Sequence, residues 1–126
     1  MDKKNAIGYI NKTYGAGLNN INTSFASVSI SKYKTVWWTT VPVHKFNEPV
    51  HLLFNTTDAV IWIELPKNFE PNLSDKFKIR TKKGCANQDF VDIEVWAGND
   101  ERYMKDVKSG GTGFDFKPFI RERIAK

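Results

Sequence analysis

The sequence predicts a single α+β domain over residues 1–126: a mostly antiparallel sheet of five or six strands, with an N-terminal and a C-terminal helix packed on it. Three observations predict this class. Apolar and polar residues alternate in several central segments, the pattern of half-buried strands. Apolar residues recur at three- and four-residue intervals near both ends, the pattern of amphipathic helices. A chain of 126 residues, 40% of them apolar, has enough material for one core but not for two.

At the N-terminus, Asp2 is a capping residue for a helix over about Lys3–Tyr14, with Ile7, Ile10 and Tyr14 on one face. Gly15 and Gly17 supply the positive φ that a helix end needs. The polar stretch after them reads as a loop. Phe25–Ile30 then alternates as one strand, with Ala26, Val28 and Ile30 on one side.

The stretch from Thr35 to Pro66 holds three of the four tryptophans and both histidines, and reads as three strands at the centre of the sheet. Trp37 and Trp38 are adjacent, so on a strand they point to opposite faces. Pro42 marks an edge or an end. Val50–Asn55 and Ala59–Leu65 form a hairpin through Asn55–Asp58. In that register Leu52 lies opposite Ile61 and Val50 opposite Ile63, giving an apolar core face that also carries Phe54 and Leu65. The other face holds His51, Leu53, Val60, Trp62 and Glu64, with His51 across from Trp62.

Pro66–Asp75 is a loop with room for one helical turn. Phe77–Lys82 and Phe90–Ala97 both alternate and pair around Lys83–Asp89. Phe77, Ile79 and Thr81 face Val95, Ile93 and Val91, while Arg80 meets Asp92 and Lys78 meets Glu94. The charges thus support the register that the apolar residues set. Arg102–Val107 is a further, poorly alternating strand candidate. Ser109–Gly113 (SGGTG) is a flexible loop. Phe116, Phe119, Ile120 and Ile124 form the stripe of a C-terminal helix capped by Asp115, with Pro118 in its first turn.

The net charge of +5 is unevenly distributed. Residues 1–34 carry +4, residues 35–75 carry −3 and residues 76–126 carry +4. Basic flanks around an aromatic middle bias the chain toward phosphate-rich partners. No apolar run approaches the roughly 20 residues that span a bilayer, so no membrane partner is expected. The first residues lack the pattern of a secretory signal, and one cysteine, Cys85, cannot form an internal disulfide; both make the cytoplasm the expected location. Without export, the Asn-x-Ser/Thr triplets at Asn11, Asn22 and Asn55 are not glycan sites.

No motif fixes an activity. Lys78, Arg80, Lys82 and Lys83 make a stripe suited to a nucleic-acid backbone, but Asp92 and Glu94 neutralise half of it, leaving Lys82 and Lys83 with the terminal Arg121 and Arg123. Asp92 followed by Asp106-Val107-Lys108 has the outline of the Asp…(Asp/Glu)-x-Lys nuclease constellation, which resemblance implies Mg²⁺ held by Asp92 and Asp106 and a water oriented by Lys108. The resemblance spans 17 residues, lacks the customary proline before the first acid and is followed by no further expected strand. The SGGTG loop lacks the Gly-Lys-Ser/Thr of a phosphate-binding loop, and Asp115 there is anionic. His44 and His51 have no cysteine at zinc spacing, so neither metal nor cofactor is expected. Cys85 sits near Lys82 and Lys83, which lower a thiol pKa, but no base is placed beside it.

The remaining candidate is the mixed face of His51, Trp62 and Glu64, with Trp37 or Trp38 beside it, an aromatic platform if left uncovered and core if a helix packs on it. The reading that follows is a non-catalytic, nucleic-acid-associated binding module. The alternatives are the nuclease of Asp92, Asp106 and Lys108, or a protein-interaction module of a larger assembly.

Overall fold

The computed structural model describes residues 1–30, 33–81 and 88–126. Its architecture corrects the expected class. The described residues are mostly β, with eight strands in two four-stranded sheets and one α-helix, at the N-terminus, where an α+β domain with a helix at each end was expected. The helix is α1 (Lys3–Tyr14), and the strands are β1 (Thr23–Ser27), β2 (Ser29–Ile30), β3 (Thr35–Pro42), β4 (Val50–Asn55), β5 (Ala59–Leu65), β6 (Lys78–Thr81), β7 (Asp89–Trp96) and β8 (Ile120–Ala125). Sheet A runs β1-β4-β5-β8 and sheet B runs β2-β3-β7-β6.

Helix α1 forms as its sequence dictates. The Asp2 carboxylate accepts from the Asn5 backbone N–H, satisfying one of the first-turn donors. Gly15 closes the helix at φ 64°, returning its N–H to the Asn11 carbonyl. Asn11 then holds the chain that follows, its amide exchanging two hydrogen bonds of 2.9 Å with the Leu18 backbone.

Two elements depart from expectation for identifiable reasons. Phe25–Ile30 is not one strand. The chain leaves sheet A after Ser27, and β2 pairs with β3 in sheet B, so one run of residues serves both sheets. Strand β1 therefore lies parallel to β4, because the connection between them contains the whole of β2 and β3. The expected C-terminal helix is a short 3₁₀ turn, Lys117–Phe119, followed by β8 antiparallel to β5. Ile120 and Ile124 are four apart, which reads as one helical face, but in β8 they pack on opposite sides of sheet A, so that spacing is no strand signal. Likewise Arg102–Val107 forms no strand and contributes only the isolated bridges Val95–Asp106 and Lys105–Asp115.

Both expected hairpins exist with registers shifted by two residues. Val50 lies opposite Leu65 and His51 opposite Glu64, because the turn closes on Thr56, whose N–H and hydroxyl both bond to the Ala59 carbonyl. Lys78 lies opposite Asp92 and Ile79 opposite Val91. A shift of two leaves every side chain on its expected face. Arg80 still reaches Asp92 along the diagonal, at 2.9 Å. Glu94 pairs with Lys34 and Lys108, and not with Lys78 as expected. Lys82, Lys83 and Cys85, with most of the expected turn between β6 and β7, lie outside the described residues.

The Thr35–Pro66 stretch is thus divided between the sheets, and this arranges the core in two layers. Between the sheets pack Trp37, Val41, Leu52, Phe54, Ile61, Ile63, Val91, Ile93 and Val95, with Trp37 stacked on Phe54 at 5.0 Å. On the far side of sheet A, α1 supplies Ala6 and Ile10 against Leu53, Val60, Trp62 and Ile124. No described helix is long and apolar enough to cross a membrane.

Candidate functional site

The face of sheet A under α1 is only partly covered. The helix ends at Tyr14, and beyond it a cavity of about 760 Å³ opens over His51, Trp62 and Glu64, rimmed by Tyr14, Asn22, His44, Lys45, Glu48 and Arg121. Register explains the grouping. His51 on β4 and Glu64 on β5 are direct partners, and Trp62 is the next residue of β5 on the same face.

Arg121 arrives by an irregularity. Trp62 pairs with Glu122 but Ile63 pairs with Ile120, so Arg121 is the extra residue of a bulge in β8. A bulge re-aims the side chain it carries. Here Arg121 turns to the helix side of the sheet, where its guanidinium lies over the Trp62 ring at 4.9 Å and pairs with Glu64 at 3.0 Å. The same bulge lets Ile120 pack between the sheets while Ile124 packs under α1.

His51 is 5% exposed. Its Nδ1 accepts from the indole N–H of Trp62 at 3.1 Å. Indole is a donor only, so Nδ1 carries no proton and the neutral ring holds its hydrogen on Nε2. Burial pushes the His51 pKa below its ordinary value; the Glu64 carboxylate pulls it back up and Arg121 pushes it down again. Protonation would also set an Nδ1–H against the Trp62 N–H. Burial and the Trp62 contact thus favour the neutral ring against the Glu64 carboxylate, whose Oε1 lies 3.7 Å from Nδ1.

The other expected site residues are distributed elsewhere. Trp37 is buried between the sheets and donates to the Asn55 carbonyl. Trp38, on the opposite side of β3, is 61% exposed on the outer face of sheet B, over which no described helix packs. Beside it a depression of about 140 Å³ is lined by Thr40, Arg80, Asp92, Glu94 and Lys108. Burial alone would raise Asp92, but hydrogen bonds from Arg80 and Thr40 and the nearby cations hold it below the ordinary range. Glu94 is lowered in the same way by Lys34 and Lys108. Arg123 lies on the edge of sheet A, with Asp58 at 3.8 Å.

Asp92 and Lys108 line that depression, but the Asp92 carboxylate is taken by Thr40 and Arg80. Asp106 is buried, and its Oδ1 accepts from the backbone N–H groups of Glu94 and Lys108. Its Oδ2 is buried without a partner among the described residues, and burial raises its pKa. Lys108 reaches Glu94 at 3.4 Å. Among the described residues no three His, Cys, Asp or Glu side chains gather as metal ligands.

Sequence reasoning missed Tyr14, Lys45 and Glu48 as cavity residues, because only tertiary packing brings the end of α1 and the Val43–Asn47 turn to the sheet. The fold and site together define a two-sheet β-sandwich with a helix-covered outer face and a cavity at the helix end. Comparison with family models, with curated proteins and with solved structures finds no match.

Proposed function

We propose that the chain is a non-catalytic binding module that takes single-stranded nucleic acid on the open face of sheet B. The observation behind this reading is Trp38, a large indole held in solvent at the middle of a strand, with Lys34, Arg80 and Lys108 around it. An exposed ring offers a base a stacking surface whatever its sequence, and surrounding cations favour the phosphates. The Glu94 and Asp92 carboxylates hold those cations in place and temper the positive field, which suits modest, salt-sensitive affinity. In the same reading the chain works in the cytoplasm, where a lone cysteine is ordinary.

The test is tryptophan-fluorescence titration with single-stranded DNA and RNA oligonucleotides at two salt concentrations, in wild type and Trp38→Ala. Affinity should fall with salt, and losing one stacked base should cost about 1–3 kcal/mol. Salt-independent binding, or equal affinity of the variant, would sink the reading. A protein-interaction role has one separate observation in its favour. Ile30 and Tyr33, each 79% exposed, flank the connection between β2 and β3. A strictly monomeric chain that captures no partner would count against it.

A further inference from the structure

The cavity at the end of α1 lies on the other outer face of the sandwich from Trp38 and is chemically different. Its charges balance, since it is lined by two cations, Lys45 and Arg121, and two carboxylates, Glu48 and Glu64, while His51 is neutral. An anion would meet Glu64 in front of Arg121, and a cation would meet Arg121 beside Glu64. An apolar ligand would leave polar groups unsatisfied, which costs roughly 1–3 kcal/mol for each buried one. His51 lines the cavity with its Nδ1 taken by Trp62, and no hydrogen bond with another described residue occupies its Nε2, which leaves that N–H for solvent or a ligand. The rim is equally particular. Asn19 and Asn22 spend their side chains on the loop itself, Asn22 accepting from Asn19 N–H and donating to the Gly17 carbonyl, so the wall is rigid. The ring of Tyr14 stands at the opening, half exposed and 5.6 Å from Trp62.

A hydroxyl both donates and accepts, and two hydroxyls on adjacent carbons match a carboxylate flanked by N–H donors. The geometry points to a binding site for a neutral sugar ring through a vicinal diol: one hydroxyl donates to Glu64 and accepts from Arg121, its neighbour accepts from His51 Nε2–H, and the C–H face of the ring lies on Tyr14. The β8 bulge is what makes this site, because a regular register would place Arg121 opposite Ile63. The same diol chemistry is found in free saccharides and in the ribose of a nucleoside. This site is independent of the Trp38 face.

The experiment is NMR titration of the full chain with four probes: methyl α-mannopyranoside, methyl β-ribofuranoside, adenosine and 2′-deoxyadenosine. The imidazole signals of His51 and His44 report occupancy of this cavity, and neither histidine lies at Trp38. At least one diol-bearing probe should shift them with millimolar or better affinity. Adenosine binding with 2′-deoxyadenosine silent assigns the ribose source, and mannoside binding assigns the saccharide source. Glu64→Gln, which keeps the shape and replaces the charged acceptor, should weaken binding about tenfold or more. Tyr14→Ala, at a half-exposed position, should weaken it without unfolding the chain. The proposal is overturned if no diol probe moves the histidine signals, if deoxyadenosine binds as well as adenosine and neither glycoside binds, or if Glu64→Gln binds like wild type.

Discussion

The two outer faces of the sandwich have opposite fates. On sheet A, Leu53, Val60, Trp62 and Ile124 are sealed under Ala6 and Ile10 of α1, and only the end of the face beyond Tyr14 stays open. On sheet B, Trp38, Thr40, Arg80, Asp92 and Glu94 form the outer face with no described helix above them. The first face is apolar wherever it is covered, while the second alternates charges of both signs. Coverage follows composition: a face is buried where removing it from water offsets the cost of ordering a helix on it. Function is then left to what remains uncovered, a cavity on one side and an indole among ion pairs on the other.

The contrast is broken most forcefully from the covered side. Ile10→Ala or Leu53→Ala should destabilise the chain by about 2–5 kcal/mol in urea unfolding, since each leaves a cavity at the helix–sheet contact. A loss below about 1 kcal/mol would mean that α1 packs loosely. Next in size is Asp106, bridged to Val95 alongside β7 of sheet B. Asp106→Ala leaves the Glu94 and Lys108 N–H groups unpaired and should cost about 1–3 kcal/mol. Asp106→Asn keeps an acceptor oxygen and removes a charge that burial disfavours, so its stability should match or exceed wild type. A destabilised Asn variant would show that the carboxylate has an essential charged role.

Where the covered part of sheet A meets its cavity, Trp62→Phe removes the donor to His51 Nδ1 and should cost about 1–2 kcal/mol. Imidazole ¹⁵N shifts should then show a mixture of tautomers in place of one. The same histidine gives a pH signature. Its folded pKa lies below the ordinary value of about 6.5. Above that pH both folded and unfolded chains are neutral there. Below it the unfolded chain takes up a proton that the folded chain resists, so stability falls with pH until the depressed folded value is passed. Urea midpoints at about pH 7.5 and pH 5 should differ less in His51→Gln, whose carbonyl still accepts from Trp62. An equal fall in the variant would assign the effect to other groups. The smallest expected effect is Trp38→Ala, within about 0.5 kcal/mol of wild type. A large loss there would make Trp38 structural and remove the basis for its binding role.

Local sequence carried much of the fold. Asp2 and Gly15 bound α1 because capping is a matter of a few neighbouring atoms. The alternation in β4, β5 and β7 assigned their inward residues correctly, and a two-residue error in register did not disturb it because strand periodicity is two; in β6 it failed at Thr81, expected on the core face but exposed. His51, Trp62 and Glu64 were legible as one face for the same reason.

What local pattern could not contain was partnership. Ile120 and Ile124 kept helical spacing, and the edge of β5, which needed a hydrogen-bonding neighbour, decided for a strand that puts them on opposite sides of the sheet. Nothing in the run Phe25–Ile30 marks Val28 as the point where the chain changes sheets. Arg121 joined Glu64 through a bulge, and Tyr14 reached Trp62 through the docking of α1. By itself, then, the sequence determined which side chains face inward and where the first helix begins and ends. Only the tertiary structure decided that there are two sheets, that one tryptophan of the Trp37–Trp38 pair is core and the other solvent-facing, and that a cavity stands over His51. The physical reason is range: caps and alternation act over a few residues, whereas sheet membership and cavity walls depend on backbone groups and surfaces far apart in the chain.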